Sequence, residues 1–349
     1  MRVVVTGATG NAGTALLRAL EHEPAVEEVV GIARRRPQLS YPKVRWVPAD
    51  VATDDLTEHL RGASAVVHLA WLIQPGRRPD VLEAVNVKGT ERLLLAAVAA
   101  GVDAVIYASS IGAYSPRAGN APTAEDWPTT GIPTSTYSGQ KVAVERMLER
   151  FAAEQPGIRV ATLRPALIFQ RRAGSEIRRY FAGPFVPTPL LGRGVPPVLP
   201  LPRWFRVQAV HADDVADAYR RLISSDARGA YNVAADPLLT PDVLGRVLHA
   251  RPVPMRPGVL RAAAGAAYRL RLTPAEAGWL DMGFQVPVMD TGRARSELGW
   301  SPAKAADAAL AELIAGMRDG SGLPTPPLDP HAGGRARWRE LATGIGARG

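Results

Sequence analysis

The chain is expected to fold as an α/β protein built on a Rossmann-like, doubly wound parallel sheet, with a smaller Pro-rich domain attached. Three observations carry this expectation. Short β-branched runs alternate with helical patterns through residues 1–165. The first run ends in a glycine-rich turn that opens directly into a helix. Beyond Ala166 prolines crowd the chain, and such breakers forbid long regular elements.

Val3-Val4-Val5 reads as a buried first strand. Gly7-Ala8-Thr9-Gly10-Asn11-Ala12-Gly13 follows, and Leu16, Leu17 and Leu20 mark the helix behind it. Strand, glycine turn and helix in this order are the context a dinucleotide-binding turn requires. Gly7 permits the tight turn, Gly10 lets backbone amides approach a pyrophosphate, and Gly13 lets the helix pack close to the sheet. The helix N-terminus adds partial positive charge for the phosphates. Residues 29–32 form the second strand, followed by Ala33-Arg34-Arg35-Arg36. A carboxylate at this strand end would bind the ribose 2′-hydroxyl of NAD, whereas arginine accommodates a 2′-phosphate. Ala33 with Arg34 and Arg35 therefore points to NADP, with NAD still possible and a solvated basic loop as the plain alternative.

The third strand, 44–47, runs toward Asp50-Val51, where Asp50 could accept from an adenine amino group or cap a helix near Thr53. Residues 65–70 form a fourth strand at the carboxyl edge, where open α/β sheets bind ligands. His68 within it is expected to be a satisfied core histidine, and Trp71 and Gln74 lie just beyond, where a substrate could meet them. Residues 79–100 read as one long helix. Asn86 inside it calls for a buried hydrogen bond, a functional contact or a chance surface position. The fifth strand, 104–108, ends in Ser109-Ser110, and the sixth, 158–163, in Arg164-Pro165. Later come a strand at 207–210, a helix to Ile223 capped by an aspartate of the Asp213-Asp214 pair, a strand at 231–234, and helices at 290–298 and 304–317. The expected division is a dinucleotide-binding domain at 1–165, completed by about 205–235 and 288–302. The substrate domain comprises 166–204 and 236–287, and 320–349 is a loose tail rich in Gly, Pro and Arg.

Between the fifth and sixth strands stands Tyr137-Ser-Gly-Gln-Lys141. On a helix this spacing puts the phenol and the ammonium on one face. A neighbouring ammonium favours the phenolate and lowers a phenol's pKa from its usual value near ~10. Such a pair could serve as a general acid or base; the plain alternative is a surface pair.

The composition sets bounds. With 349 residues and 46% hydrophobic content, a sizeable core can form. The absence of cysteine excludes disulfides and thiolate chemistry and fits a reducing, cytoplasmic setting. The six histidines show no H-x-x-x-H pair, so no metal site is expected. Net charge is +9 with arginines scattered, which suggests solvated surface biased toward anionic ligands, without a nucleic-acid motif. No signal peptide or membrane span is expected, because the first strand begins at residue 2 and no apolar run is long enough.

Together these motifs resemble the extended short-chain dehydrogenase/reductase family, of the NAD(P)-dependent epimerase/dehydratase type. The resemblance runs from Thr6 to about Trp300. It rests on Thr6-Gly7-x-x-Gly10-x-x-Gly13, Asn86-x-x-Gly89-Thr90, Ser109-Ser110-x-x-x-Tyr114 and Tyr137-x-x-x-Lys141. Arg164-Pro165, Val210-His211-x-x-Asp214-Val215-Ala216 and Leu298-Gly299-Trp300-x-Pro302 complete it. The departure is Ala33, where many NAD-using members carry Asp. The resemblance implies a catalytic triad of Ser110, Tyr137 and Lys141, with Lys141 also bonding the nicotinamide ribose. It implies cofactor contacts from Gly7, Thr9, Gly10, Asn11, Ala12 and Gly13 of the turn, and from Arg34 and Arg35. Further contacts would come from Asp50, Val51, Leu69, Ala70, Trp71 and Asn86, and from Ala108, Ser109, Arg164, Pro165 and Leu167. The implied activity is hydride transfer at a hydroxyl or carbonyl carbon of a sugar nucleotide or small carbonyl compound, in a homodimer paired through the helices at 79–100 and 137–153. Ile111-Gly112 stand where the family's dehydratases carry an acidic pair, which argues against that chemistry. Arg171, Arg172, Arg178, Arg179 and Arg203 could bind a nucleotide sugar or simply face solvent. A non-catalytic NADP(H)-sensing or scaffold role is the alternative, against which stands the retention of all three triad residues.

Overall fold

The computed structural model describes residues 1–74, 76–193 and 197–332. Its strands are β1 (Arg2–Thr6), β2 (Glu28–Ala33), β3 (Val44–Pro48), β4 (Ala65–His68), β5 (Ala104–Ala108), β6 (Arg159–Pro165), β7 (Leu167–Phe169), β8 (Val198–Leu201), β9 (Val207–His211), β10 (Gly229–Val233), β11 (Ala235–Leu239) and β12 (Arg251–Pro254). Seven of them form one parallel sheet in the order β10-β6-β5-β4-β1-β2-β3. The order reverses between β1 and β4, which opens a crevice above their carboxyl ends. β1 shows why the sequence folds this way. Val3, Val4 and Val5 are all fully buried, as a strand covered on both faces must be. Side chains alternate across a strand, so Val3 and Val5 join one core with Leu16, Leu17 and Leu20, while Val4 joins the core on the opposite face with Leu93 and Leu94.

His68 is the satisfied core histidine the sequence suggests. Its Nδ1 is 2.7 Å from Thr6 Oγ1, and its Nε2 is 2.9 Å from Thr90 Oγ1. Thr90 donates its own proton to the Asn86 carbonyl, so Nε2 carries the histidine proton and Nδ1 accepts from Thr6. Burial pushes its pKa down to about 3, so the ring is neutral.

Several expectations are corrected. The strand at 207–210 forms as β9 but pairs with β7 and β11 in a separate three-stranded sheet; β10 is the late strand that completes the main one. The helix at 79–100 is three pieces, Pro79–Glu83, a π-turn over Ala84–Lys88, and Gly89–Ala100. The π-turn holds the buried Asn86, whose amide clamps the backbone of Leu72. The helix placed near Thr53 begins at Thr57, because Asp50 Oδ1 accepts from the Ala52 amide in a turn. The Ala212–Ile223 helix is capped by His211, whose Nδ1 accepts from the Asp213 amide at 3.1 Å. Asp214 is drawn off to the amides of Ala303 and Lys304, at 2.8 and 3.2 Å.

The stretch 320–332 is not loose. Thr325 and Leu328 are buried, and Thr325 Oγ1 donates to the Thr9 carbonyl at 2.9 Å. Arg179 donates to the carbonyl oxygens of Pro327 and Asp329. The rest of the expected tail, 333–349, lies outside the described residues. Among the described residues no helix is long and apolar enough to cross a membrane.

Candidate active site

The glycine turn lies at the carboxyl end of β1, and its three glycines are needed for different reasons. Gly7 has φ +67°, and a Cβ there would stand 2.6 Å from the Ala70 amide nitrogen. A Cβ on Gly13 would lie 2.4 Å from the Gly7 carbonyl oxygen. These two let the turn fold onto the end of β4 and onto its own helix. A Cβ on Gly10 would meet only the Gly7 oxygen, at an ordinary 3.4 Å. Gly10 caps the Asn11–Glu21 helix without a side chain, so the first amides of that helix are left for an anion. A cradle closed by Gly7 and Gly13 and open at Gly10 fits a dinucleotide pyrophosphate. The Asn11 side chain is not part of the cradle: its Nδ2 donates to the Ile168 carbonyl, and its Oδ1 accepts from Gln170 Nε2 at 2.6 Å.

Tyr137 and Lys141 lie in the first turns of the Thr136–Glu154 helix, which is N-capped by the Ser135 hydroxyl. The structure brings Ser110 to them from the end of β5. The point a Cβ on Gly112 would occupy is 3.1 Å from Tyr137 Cε1 and 3.4 Å from Ser110 Oγ. Ser110 Oγ accepts from the Gly112 amide at 3.0 Å, which leaves its proton free to donate. Lys141 is buried, and its ammonium has three protein partners. Nζ donates to the Ala108 carbonyl at 2.7 Å and to the Tyr107 hydroxyl at 3.3 Å, and it sits 3.4 Å from the centre of the Trp71 ring. It is 5.7 Å from the centre of the Tyr137 ring.

This arrangement corrects the expected electrostatics. Burial pushes the Tyr137 phenol up to about 12, against a smaller downward effect of Ser110. Burial also pushes Lys141 well below the usual lysine value, against the nearby carboxylate of Glu145. Desolvation outweighs the attraction between ammonium and phenolate because Lys141 is buried, Tyr137 is half-buried among aromatic rings, and the ammonium is turned to other partners.

Three expected cofactor contacts are already committed to the protein. Arg164 meets both carboxylate oxygens of Glu145, at 2.9 and 2.6 Å, and donates to the Tyr114 hydroxyl at 2.9 Å. Ser109 donates to the same carboxylate. Asn86 Nδ2 reaches the Leu72 carbonyl and Gln140 Oε1, both at 2.8 Å. Asn86 holds the Leu72 backbone, and Arg164 and Ser109 hold the Glu145 side chain on the tyrosine helix. Pro165 is buried in β6, Val51 packs against Gly89, and Leu167 is partly exposed at the start of β7. Leu69, Ala70 and Trp71 follow β4 beside the glycine turn, and Arg34 and Arg35 are exposed just past β2.

Sequence reasoning missed Tyr107, Glu145, Phe181 and Trp279. Glu145 was legible in principle, since it follows Lys141 by four residues and Tyr137 by eight, on one helix face. Trp279 comes from far along the chain. A Cβ on Gly278 would stand 2.4 Å from the Thr134 carbonyl oxygen, so this glycine lets the Gly278–Gln285 helix press on the entry to the tyrosine helix. The indole then lies 4.9 Å from the Tyr137 ring, with Phe181 edge-on to it at 4.8 Å.

The NAD dependent epimerase/dehydratase family model matches residues 3–234. The chain belongs to that family. Among its relatives, the uncharacterized protein Rv2047c of Mycobacterium tuberculosis is 27% identical over 326 residues; the match takes in 93% of this chain, which spans only 31% of that protein's length. A UDP-glucose 4-epimerase of Mycolicibacterium smegmatis is 29% identical, covering 90% of this chain and 96% of the relative. Two solved structures share the fold over 91% of this chain and 99% of theirs. They are MoeE5 in complex with UDP-glucuronic acid and NAD (TM-score 0.69, 23% identity) and the UDP-glucose 4-epimerase of Thermotoga maritima with UDP-glucose (0.68, 20%).

The glycine geometry makes a prediction for this family member. Gly7→Ala and Gly13→Ala should each lower stability by roughly 1–3 kcal/mol, the range for a strained or overpacked backbone position. Gly10→Ala should keep the melting temperature and lose nicotinamide dinucleotide affinity. Thermal melts and cofactor fluorescence titrations on the three variants check this, and equal melting losses in all three would contradict it.

Proposed function

We propose that the chain is an enzyme that transfers hydride between a nicotinamide cofactor and a hydroxyl- or carbonyl-bearing carbon, of a sugar nucleotide or of a small carbonyl compound. The observation that carries this reading is the meeting of Ser110, Tyr137 and Lys141 at the carboxyl edge of the sheet, in the crevice that also holds the glycine turn. The names of the relatives support the sugar-nucleotide form. When bound, the nicotinamide supplies or accepts the hydride. Tyr137 exchanges a proton with the substrate oxygen, and Ser110 donates a hydrogen bond to that oxygen, which fixes its position. Lys141, anchored by Ala108 and Tyr107, stands 5.7 Å from the centre of the phenol ring, where its Nζ orients the site.

A phenol near 12 is protonated throughout the neutral range, so the resting site is set to donate a proton. Carbonyl reduction should therefore be flat from about pH 6 to about pH 9, while alcohol oxidation should climb with pH as the phenolate becomes populated. Tyr137→Phe should retain fold and cofactor affinity and lose at least ~100-fold in single-turnover hydride transfer. Comparable rates in the two proteins would overturn the role of Tyr137.

For the cofactor we propose NADP over NAD. Ala33 offers no carboxylate to a ribose 2′-hydroxyl, and Arg34 and Arg35 follow the end of β2, where arginine accommodates a 2′-phosphate. Titration should show NADPH binding more tightly than NADH, with Arg34→Ala costing NADPH alone about 1–3 kcal/mol. Equal wild-type affinities would exclude the preference.

We also propose a homodimer. The Gly89–Ala100 helix leaves Leu95 67% and Val98 39% exposed, an apolar strip suited to an isologous contact with a second copy. Sedimentation at micromolar concentration should find dimer in the wild type and monomer for Leu95→Lys; a monomeric wild type would refute it.

A further inference from the structure

The glycine turn is held from outside its own strand, turn and helix at two points, one on each side of Gly10. On the first side, Thr325 Oγ1 donates to the Thr9 carbonyl at 2.9 Å. A trans peptide sets its N–H opposite its C=O. The Gly10 amide accordingly turns the other way and closes on the Gly7 carbonyl at 3.1 Å. One bond from Thr325 thus fixes the plane of the Thr9–Gly10 peptide. On the second side, Gln170 Nε2 donates to the Asn11 carbonyl at 2.9 Å and to Asn11 Oδ1 at 2.6 Å. Asn11 Nδ2 donates to the Ile168 carbonyl at 3.1 Å. Asn11 opens the helix, and an asparagine oxygen readily accepts from backbone amides nearby. With both ends of its side-chain amide engaged, Asn11 does not swing across the helix start and take the amides left for an anion.

Both holding residues are built into the fold. Thr325 is 1% and Gln170 3% exposed. The Thr325 hydroxyl also accepts from the Leu328 amide at 3.4 Å, and the Asp329 amide donates to the Thr325 carbonyl at 2.8 Å. A Cβ on Gly322 would collide with the Leu328 carbonyl, so glycine is what lets this segment fold on itself. Ser175 Oγ donates to the Ser321 carbonyl at 3.0 Å, Arg171 pairs with Asp319, and Arg179 donates to the carbonyls of Pro327 and Asp329. Residues 319–329 are therefore a strap tied to residues 171–179, with one hydroxyl directed at the glycine turn.

We propose that Thr325 and Gln170 are positioning residues for the cofactor pyrophosphate. They hold the Thr9–Gly10 peptide and the Asn11 side chain so that the first amides of the Asn11–Glu21 helix stay open to it. This rests on the dinucleotide-binding reading of the turn and adds two side chains that act through the turn. Both lie beyond β6, so the cradle is complete only when the chain returns to it at residues 170 and 325. Donors that are preset leave little ordering to be done on binding, which raises affinity.

The test titrates NADPH and NADH by cofactor fluorescence on the full chain, wild type beside four variants, well below the lowest melting temperature of the set. Thr325→Val removes the donor and keeps the shape, while Thr325→Ser keeps the donor. Gln170→Leu removes both bonds to Asn11. Leu313→Ala is the control for lost stability, in the core where Leu328 packs. Thr325→Val and Gln170→Leu should each weaken binding roughly tenfold, the size of a lost buried hydrogen bond. The factor should be the same for both dinucleotides, since the pyrophosphate is common to them. Thr325→Ser should bind like wild type, and so should Leu313→Ala although it melts earlier. Wild-type affinity in Thr325→Val and Gln170→Leu, an equal loss in Leu313→Ala, or a loss confined to one dinucleotide would overturn the positioning role and leave the dinucleotide reading standing. A wild type that binds neither dinucleotide would overturn both.

Discussion

The buried ion pair of Arg164 and Glu145 is the constraint on which the site depends. Their side chains are 7% and 3% exposed, so neither charge could remain without the other. Glu145 is on the tyrosine helix, Arg164 ends β6, and Ser109, the third partner, ends β5. The pair therefore sets the rotation of the helix against two neighbouring strands. Because Glu145, Lys141 and Tyr137 repeat every four residues, one rotation places all three. Arg164 carries the fixation further: it meets the Tyr114 hydroxyl, which donates to Asn232 in β10. Removing one partner would leave an uncompensated buried charge, a loss of about 3–5 kcal/mol.

With that frame in place, burial governs the proton chemistry. Trp71, Trp279 and Tyr107 crowd the phenol and the ammonium, and desolvation then favours the neutral form of both. The lysine is held by a carbonyl, a hydroxyl and a ring face, which together tolerate a proton without demanding one. A protonated phenol beside such a lysine is a proton donor in waiting.

Residues beyond β7 are braced directly on the glycine turn. Gln170 reaches Asn11, Thr325 reaches Thr9, and Gln74 Nε2 bridges the carbonyls of Tyr180 and Pro274. These hydrogen bonds join residues that are far apart in the chain, and they explain why 320–332 is ordered despite its Gly- and Pro-rich composition. Polar groups in that segment find buried partners, and Leu328 packs in one core with Phe169, Leu239, Leu310 and Leu313.

The sequence by itself determined the features that neighbouring residues impose on each other. The parallel strands follow from continuous β-branched runs, and the glycine turn from backbone positions that exclude a Cβ. The Tyr137–Lys141 register follows from helix geometry alone. Tertiary structure decided what rests on distant partners. It put β9 in a second sheet, broke the 79–100 helix where Asn86 bonds Leu72, drew Asp214 off to Ala303 and Lys304, and committed Arg164 to Glu145. It brought Trp279 onto Tyr137, and it inverted the expected acidity of the phenol. Periodicity and propensity report the next turn or the next residue. Which side chain loses its water, and which charge is shared with which partner, depends on contacts between separate elements of the chain that local pattern does not encode.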